Sequence, residues 1–158
     1  MVHYTLLPRV RPAGIRPGRY VMPLVGLVSD SHGRATTTRR GVERLIEANV
    51  DLLIHLGDVG SVEVIDALLI PDPTGEGILE THLVFGNTDW DLESLARYAR
   101  DVGVEVDHPV GTLECDGKKL VFQHGDDAQA MREAIRDGAD YLCHGHTHRP
   151  AATRSGQC

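Results

Sequence analysis

Five short apolar runs in this chain end in the same way. LVGLVS (24–29) is followed by Asp30-Ser31-His32-Gly33, DLLIHL (51–56) by Gly57-Asp58, and HLVF (82–85) by Gly86-Asn87-Thr88-Asp89. KLVFQ (119–123) leads into His124-Gly125-Asp126, and YLC (141–143) into His144-Gly145-His146-Thr147-His148. Apolar runs this short, bounded by turn residues, read as buried strands. Ligands of such sheets gather beyond the carboxyl ends of the strands. The pattern therefore asks for an α/β fold with one edge of its sheet lined by Asp, Asn and His.

The intervening segments fit. Apolar residues at Val42, Leu45, Ile46 and Val50 predict a helix over 36–49, and Val62, Ile65, Leu68 and Leu69 a short one ended by Pro71. Leu92 to Val102 predicts a helix closed by Gly103, and Ala128 to Arg136 one ending at Gly138. Val104 to Val106 is a short strand, and Asp116-Gly117 joins 111–115 to 118–123 as a hairpin. Strands alternating with helices, then a hairpin, give a sheet that is parallel first with antiparallel additions.

A chain of 158 residues suits one domain, expected over 22–158. Residues 1–21 hold Arg9, Arg11, Arg16 and Arg19, three prolines and no acid, and are expected to be a disordered extension ahead of a start at Met22. A basic arm or targeting segment is the other reading of that stretch. The net charge of −7 opposes a surface for long nucleic acid, because phosphate contacts need a basic field. A small anion is still admissible where a bound metal reverses the local field. No apolar run reaches membrane-spanning length. Cys115, Cys143 and Cys158 have no C-x-x-C spacing, and no secretory signal is apparent, so a reduced, cytoplasmic setting is expected.

Taken singly, the strand-end residues have ordinary explanations. Asp30 or Ser31 could cap the next helix, Gly57-Asp58 could be a turn, and Asn87 could cap a helix starting near Asp91. His124 could be a satisfied core histidine, and HGHTH a polar loop. Together they form an Asp/His/Asn donor set suited to Mn, Fe, Zn, Ni or Co. The i, i+2 spacing in D-x-H and H-x-H points both side chains to one side of an extended segment. Asp30, His32, Asp58, Asn87, His124, His146 and His148 are more donors than one tetrahedral site uses. Two metals sharing a carboxylate would use all seven, and two-metal sites serve hydrolysis of phosphate esters.

The ordered motifs D-x-H, G-D, G-N-x-D, H-G and G-H-x-H, from Leu24 to about Pro150, resemble the calcineurin-like metallophosphoesterase superfamily. GNTD and the short chain resemble its small single-domain prokaryotic phosphodiesterase branch, which is related to the retromer scaffold subunit. The resemblance implies a four-layer αββα sandwich. It implies that Asp30, His32 and His148 hold a first divalent metal and Asn87, His124 and His146 a second, with Asp58 bridging. Manganese is favoured, with Zn, Fe, Ni or Co as alternatives. Asp58, Asn87 and His146 are the catalytic residues it implies, acting with a metal-bridging hydroxide on a small phosphoester, a diester before a monoester. His144 and His55 are read as supporting or structural. The open alternatives are a non-catalytic protein-binding scaffold of the same fold, or an inactive truncated product.

Two departures stand out. Many family members have histidine after the motif asparagine, where this chain has Thr88; good leaving groups are then expected to be preferred. Asp89 is either an orienting residue or a helix cap. After HGHTHRP the family usually continues through another hairpin, whereas here Ala151 to Arg154 reads as one strand and Ser155-Gly156 as its turn. The terminal strands are therefore expected to be truncated. One Trp, four Tyr and two Phe leave few platforms for base stacking. Trp90 is expected to pack at the start of a helix, with a ring near the pocket as the other reading.

Overall fold

A computed structural model of the protein describes residues 3–6, 23–73, 75, 77–115, 117–149 and 151. The first sheet contains β1 (His3–Leu6), β2 (Val25–Ser29), β3 (Leu52–Leu56), β4 (Thr81–Val84) and β5 (Glu105–Val106), in that order across the sheet. Strands β2 to β5 are parallel, and β1 pairs antiparallel with β2. The second sheet joins β6 (Val110–Cys115) and β7 (Lys118–Gln123) as an antiparallel hairpin, with β8 (Tyr141–His144) parallel to β7.

Side-chain alternation divides the core into layers. On β2 and β3, Val25, Leu27, Leu52, Ile54 and Leu56 meet Leu120, Phe122 and Cys143 of the second sheet. Phe122 packs where Gly111 leaves room: a Cβ there would lie 2.1 Å from the ring. The opposite face of the first sheet, with Val28 and Leu53, packs on α1 (Ala35–Glu47) and α2 (Val62–Leu68) through Val42, Leu45 and Leu68. Leu83 and Phe85 meet Ile65 of α2 and Leu95 and Ala99 of α3 (Leu92–Asp101). Helix α4 (Ala128–Arg136) accompanies the second sheet, so the order of layers is the αββα sandwich. Each fully buried aliphatic or aromatic side chain contributes roughly 1.5–3 kcal/mol.

The parallel crossovers bring the carboxyl ends of β2, β3 and β4 to one edge of the first sheet. Gly145 N–H donates to the His124 carbonyl at 2.9 Å, and His146 N–H to Asp30 Oδ1 at 3.2 Å. Those two bonds draw the ends of β7 and β8 to the same edge.

Four residues expected to be part of an extension, His3–Leu6, form β1 instead, where the backbone of β2 supplies ladder partners. The rest of 1–22, and the strand and turn expected over 152–156, lie outside the described residues. Capping also differs. Helix α1 has no side-chain cap, because Asp30 and Ser31 face other partners. Asp91, not Asn87, caps α3 by accepting from Ser94 N–H. No helix among the described residues is long and apolar enough to cross a membrane.

Candidate metal centre

The seven strand-end residues come together at the shared edge. One donor atom each from Asp30, His32, Asp58 and His148 lies within 4.8 Å of the others. His148 Nε2 is 3.4 Å from Asp30 Oδ1 and 3.4 Å from His32 Nε2. A second group adjoins it. His124 Nε2 is 3.1 Å from Asn87 Oδ1, and the His124 and His146 rings meet edge to face at 5.1 Å. Asp58 stands between the groups: its Oδ2 is 3.4 Å from His32 Nε2 and 3.4 Å from His124 Nε2.

The backbone is bent to make this possible. Asp30 (φ 57), His32 (φ 46), Asp58 (φ 54), His146 (φ 66) and His148 (φ 54) all lie in the left-handed region. Such residues cost about 1–3 kcal/mol each and persist only where the surroundings fix them. Here Asp30 N–H donates to the Gly57 carbonyl (3.1 Å) and His32 N–H to the Asp58 carbonyl (2.8 Å). Gly86 provides clearance: a Cβ would fall 2.3 Å from Asp58 Oδ1 and 2.8 Å from His124 Nε2.

The donors are oriented as well as gathered. His124 Nδ1 donates to the Leu56 carbonyl at 2.8 Å, which leaves Nε2 with its lone pair toward Asn87 and Asp58. Burial alone would raise the Asp58 pKa, but the hydroxyl and backbone N–H of Thr88, at 2.7 and 3.0 Å from Oδ1, hold it below the usual carboxylate value. Asp30, Asp58 and His124 form a buried floor, while Asn87, His146 and His148 are exposed. Two buried carboxylates with imidazole nitrogens 3.4 Å from their oxygens are a cation-accepting arrangement.

Neighbouring residues take parts that their types did not announce. Thr88 occupies the place of the family's histidine, and its hydroxyl faces Asp58; nothing in the sequence beyond its adjacency to Asn87 signals this. Asp89 is buried and caps no helix. Its carboxylate accepts from the N–H groups of Gly86 (2.9 Å), Val59 (3.1 Å) and Gly60 (2.8 Å), tying the β3 and β4 loops together. His55 is fully buried, and burial pushes its pKa down to about 4, so it is neutral. His144 is exposed, with Nδ1 at 3.0 Å from the Gly145 carbonyl, outside both groups. Trp90 is 89% exposed rather than packed on α3, because the turn at Asn87–Thr88 that aims Asp89 inward leaves the next side chain outside.

The family model of the calcineurin-like phosphoesterase superfamily domain matches residues 24–158. A phosphodiesterase of Methanocaldococcus jannaschii is 29% identical over 127 residues, covering 78% of this chain and 72% of that protein. A probable metallophosphoesterase of the same archaeon is 31% identical over 130 residues, covering 80% of this chain; the chain spans 59% of that relative's length. Among solved structures, one described as a novel archaeal phosphodiesterase superposes with a TM-score of 0.70 at 25% identity, over 83% of this chain and 77% of the other. The order of motifs, the sandwich and the converging donors agree with these matches: the chain belongs to the calcineurin-like phosphoesterase superfamily.

Proposed function

We propose that this chain, a metallophosphoesterase by family, hydrolyses small phosphodiesters at a centre of two divalent ions. The observation that carries the reading is Asp58 Oδ2, placed 3.4 Å from a histidine nitrogen of each donor group. A carboxylate oxygen between two sets of imidazoles is suited to bridging. Asp30, His32 and His148 would hold one ion, and Asn87, His124 and His146 the other. Bound there, two such ions would supply a nucleophilic hydroxide at neutral pH and hold the phosphoryl oxygens. Manganese is the first choice for this donor set, with Zn, Fe, Ni and Co also suited to it.

The chain's own residues set the rest. Asp30 and Asp58 are the two formal anions of the donor set, so the loaded pocket would be net positive and would favour an anionic ester. Exposed Asn87, His146 and His148 line the side from which substrate can approach. Thr88 donates its hydroxyl proton to Asp58, so that proton is not directed at a departing alkoxide. The site therefore suits esters whose leaving groups need little protonation. The phosphodiesterase name of the M. jannaschii relative supports a diester. The acidic balance still argues against long nucleic acid as substrate. The cysteine pattern fits the reduced cytoplasm.

The test is hydrolysis of a chromogenic aryl phosphodiester with Mn²⁺, then with chelator. Turnover that needs Mn²⁺, stops with chelator, and falls by more than about 100-fold in His124→Ala is expected. That loss exceeds the range typical of residues that only orient ligands. Turnover that ignores chelator, or none in a folded, Mn²⁺-loaded chain, would overturn the reading.

A further inference from the structure

Beneath the donor groups runs a buried chain of hydrogen bonds that includes no side chain of the seven proposed ligands. Gly57 N–H donates to His55 Nδ1 at 3.3 Å, which places the imidazole proton on Nε2. His55 Nε2 lies 2.9 Å from Ser31 Oγ and donates to it. The Thr38 hydroxyl is 2.9 Å from Ser31 Oγ and 3.1 Å from the Arg34 carbonyl. Its single proton cannot serve both. The carbonyl has no proton of its own, so Thr38 donates there and Ser31 donates to Thr38 Oγ1. Every proton then has one acceptor. The chain runs from the end of β3, through the loop after β2, into the first turn of α1. Arg34 returns to the loop, with Nη2 3.1 Å from the Asp30 carbonyl.

His55, Ser31 and Thr38 are each buried to 0% exposure, so water does not compete for these bonds. Ser31 is the residue between Asp30 and His32, both held in the left-handed region. His55 is three residues before Asp58 on the neighbouring strand. The chain thus connects the segment carrying two donors of the first group to the segment carrying the carboxylate shared by both groups.

We infer that His55 is a positioning residue, which through Ser31 fixes the spacing of Asp30 and His32 from Asp58 and thereby sets the affinity of the first cation site. This rests on the two-ion reading above. A group with one donor and one acceptor in fixed opposition is needed at position 55, and a neutral imidazole provides it. Phenylalanine fills the same space without either function. Glutamine offers a donor at similar reach.

The experiment measures Mn²⁺ binding by the full chain, through the electron paramagnetic resonance signal of free Mn²⁺, for wild type, His55→Phe, His55→Gln and Ser31→Ala. Apo-protein melting temperatures are recorded alongside. The wild type is expected to bind two ions. His55→Phe and Ser31→Ala are expected to bind one of the two about 10–100-fold more weakly, the range for residues that orient ligands. His55→Gln is expected to recover most of that loss. If His55→Phe fails to fold, Ser31→Ala, which removes one oxygen, decides. A folded His55→Phe or Ser31→Ala chain with wild-type affinity at both sites overturns the inference. So does a loss in His55→Phe that Gln does not restore. A wild-type chain that binds no Mn²⁺ overturns the two-ion reading itself, a failure visible before any variant is compared.

Discussion

Thr88 and Asp89 follow Asn87 directly, and the structure gives them opposite tasks. The Thr88 hydroxyl holds one oxygen of Asp58 at 2.7 Å and leaves the other for the histidines. A hydrogen bond to a charged group contributes about 1.5–3 kcal/mol. Thr88→Val should therefore lower kcat/KM for an aryl phosphodiester by about 10–100-fold, and Thr88→Ser should retain most of it. Full activity in Thr88→Val, or a loss in Thr88→Ser as large as in Thr88→Val, would contradict the role given to the hydroxyl. Asp89 has a structural effect, since three N–H groups from two loops converge on its buried carboxylate. Asp89→Asn puts an amide donor against those donors and should cost about 3 kcal/mol of folding stability in denaturant titrations. A change below about 0.5 kcal/mol, the usual surface value, would contradict the role assigned to it.

At the scale of the element, β4 is held at its start by a histidine between two acids. His82 Nδ1 is 2.8 Å from Asp107 Oδ2, just beyond β5, and Nε2 is 3.1 Å from Glu80 Oε1. Burial alone would lower the His82 pKa, but the two carboxylates outweigh it and raise the value above 6.5. The folded state therefore binds the proton more tightly than the unfolded chain. That contribution to stability is complete below about pH 6.5 and is lost as pH rises through the folded-state pKa. His82→Gln should flatten this part of the stability–pH curve between about pH 6 and 8. A variant curve parallel to wild type would refute the coupling. His82 also shows what sequence patterning does not reveal. HLVF reads correctly as a strand, but Asp107 is 25 residues away, and only the β4–β5 pairing brings it near. Helix α4 is legible over the same residues, Ala128–Arg136, because an Asp cap and a glycine stop enclose a periodic stretch. Strand β1 is not, because HYTL sits in an Arg- and Pro-rich stretch and its place is set by the backbone of β2 rather than by a pattern of its own.

Across the whole molecule, the centre is assembled from five loops that are far apart in sequence. The proposed ligand set was legible because its members are chemically unusual and recur at strand ends. Of the supports, His55 and Asp89 were legible only as supporting or orienting residues and Ser31 and Thr38 not at all, because the partners of all four depend on the crossovers. The assembly also concentrates unfavourable charge. Asp30 and Asp58 are 1% and 2% exposed, and His124 is 2% exposed, within a single small region. Two close, buried carboxylates repel each other unless a cation lies between them. An ion that binds the folded chain and not the unfolded one adds about 2.7 kcal/mol at a free concentration 100 times its Kd. For a domain of this size that is about 5–10 °C in Tm. Stripping the protein with chelator should therefore lower Tm by that amount, and returning Mn²⁺ should restore it in proportion to the logarithm of its concentration. Asp58→Asn should show a much smaller rise in Tm with Mn²⁺, since it removes the carboxylate that faces both donor groups. If chelator and Mn²⁺ leave Tm unchanged in the wild type, the buried acids are compensated within the protein and are not held for a cation.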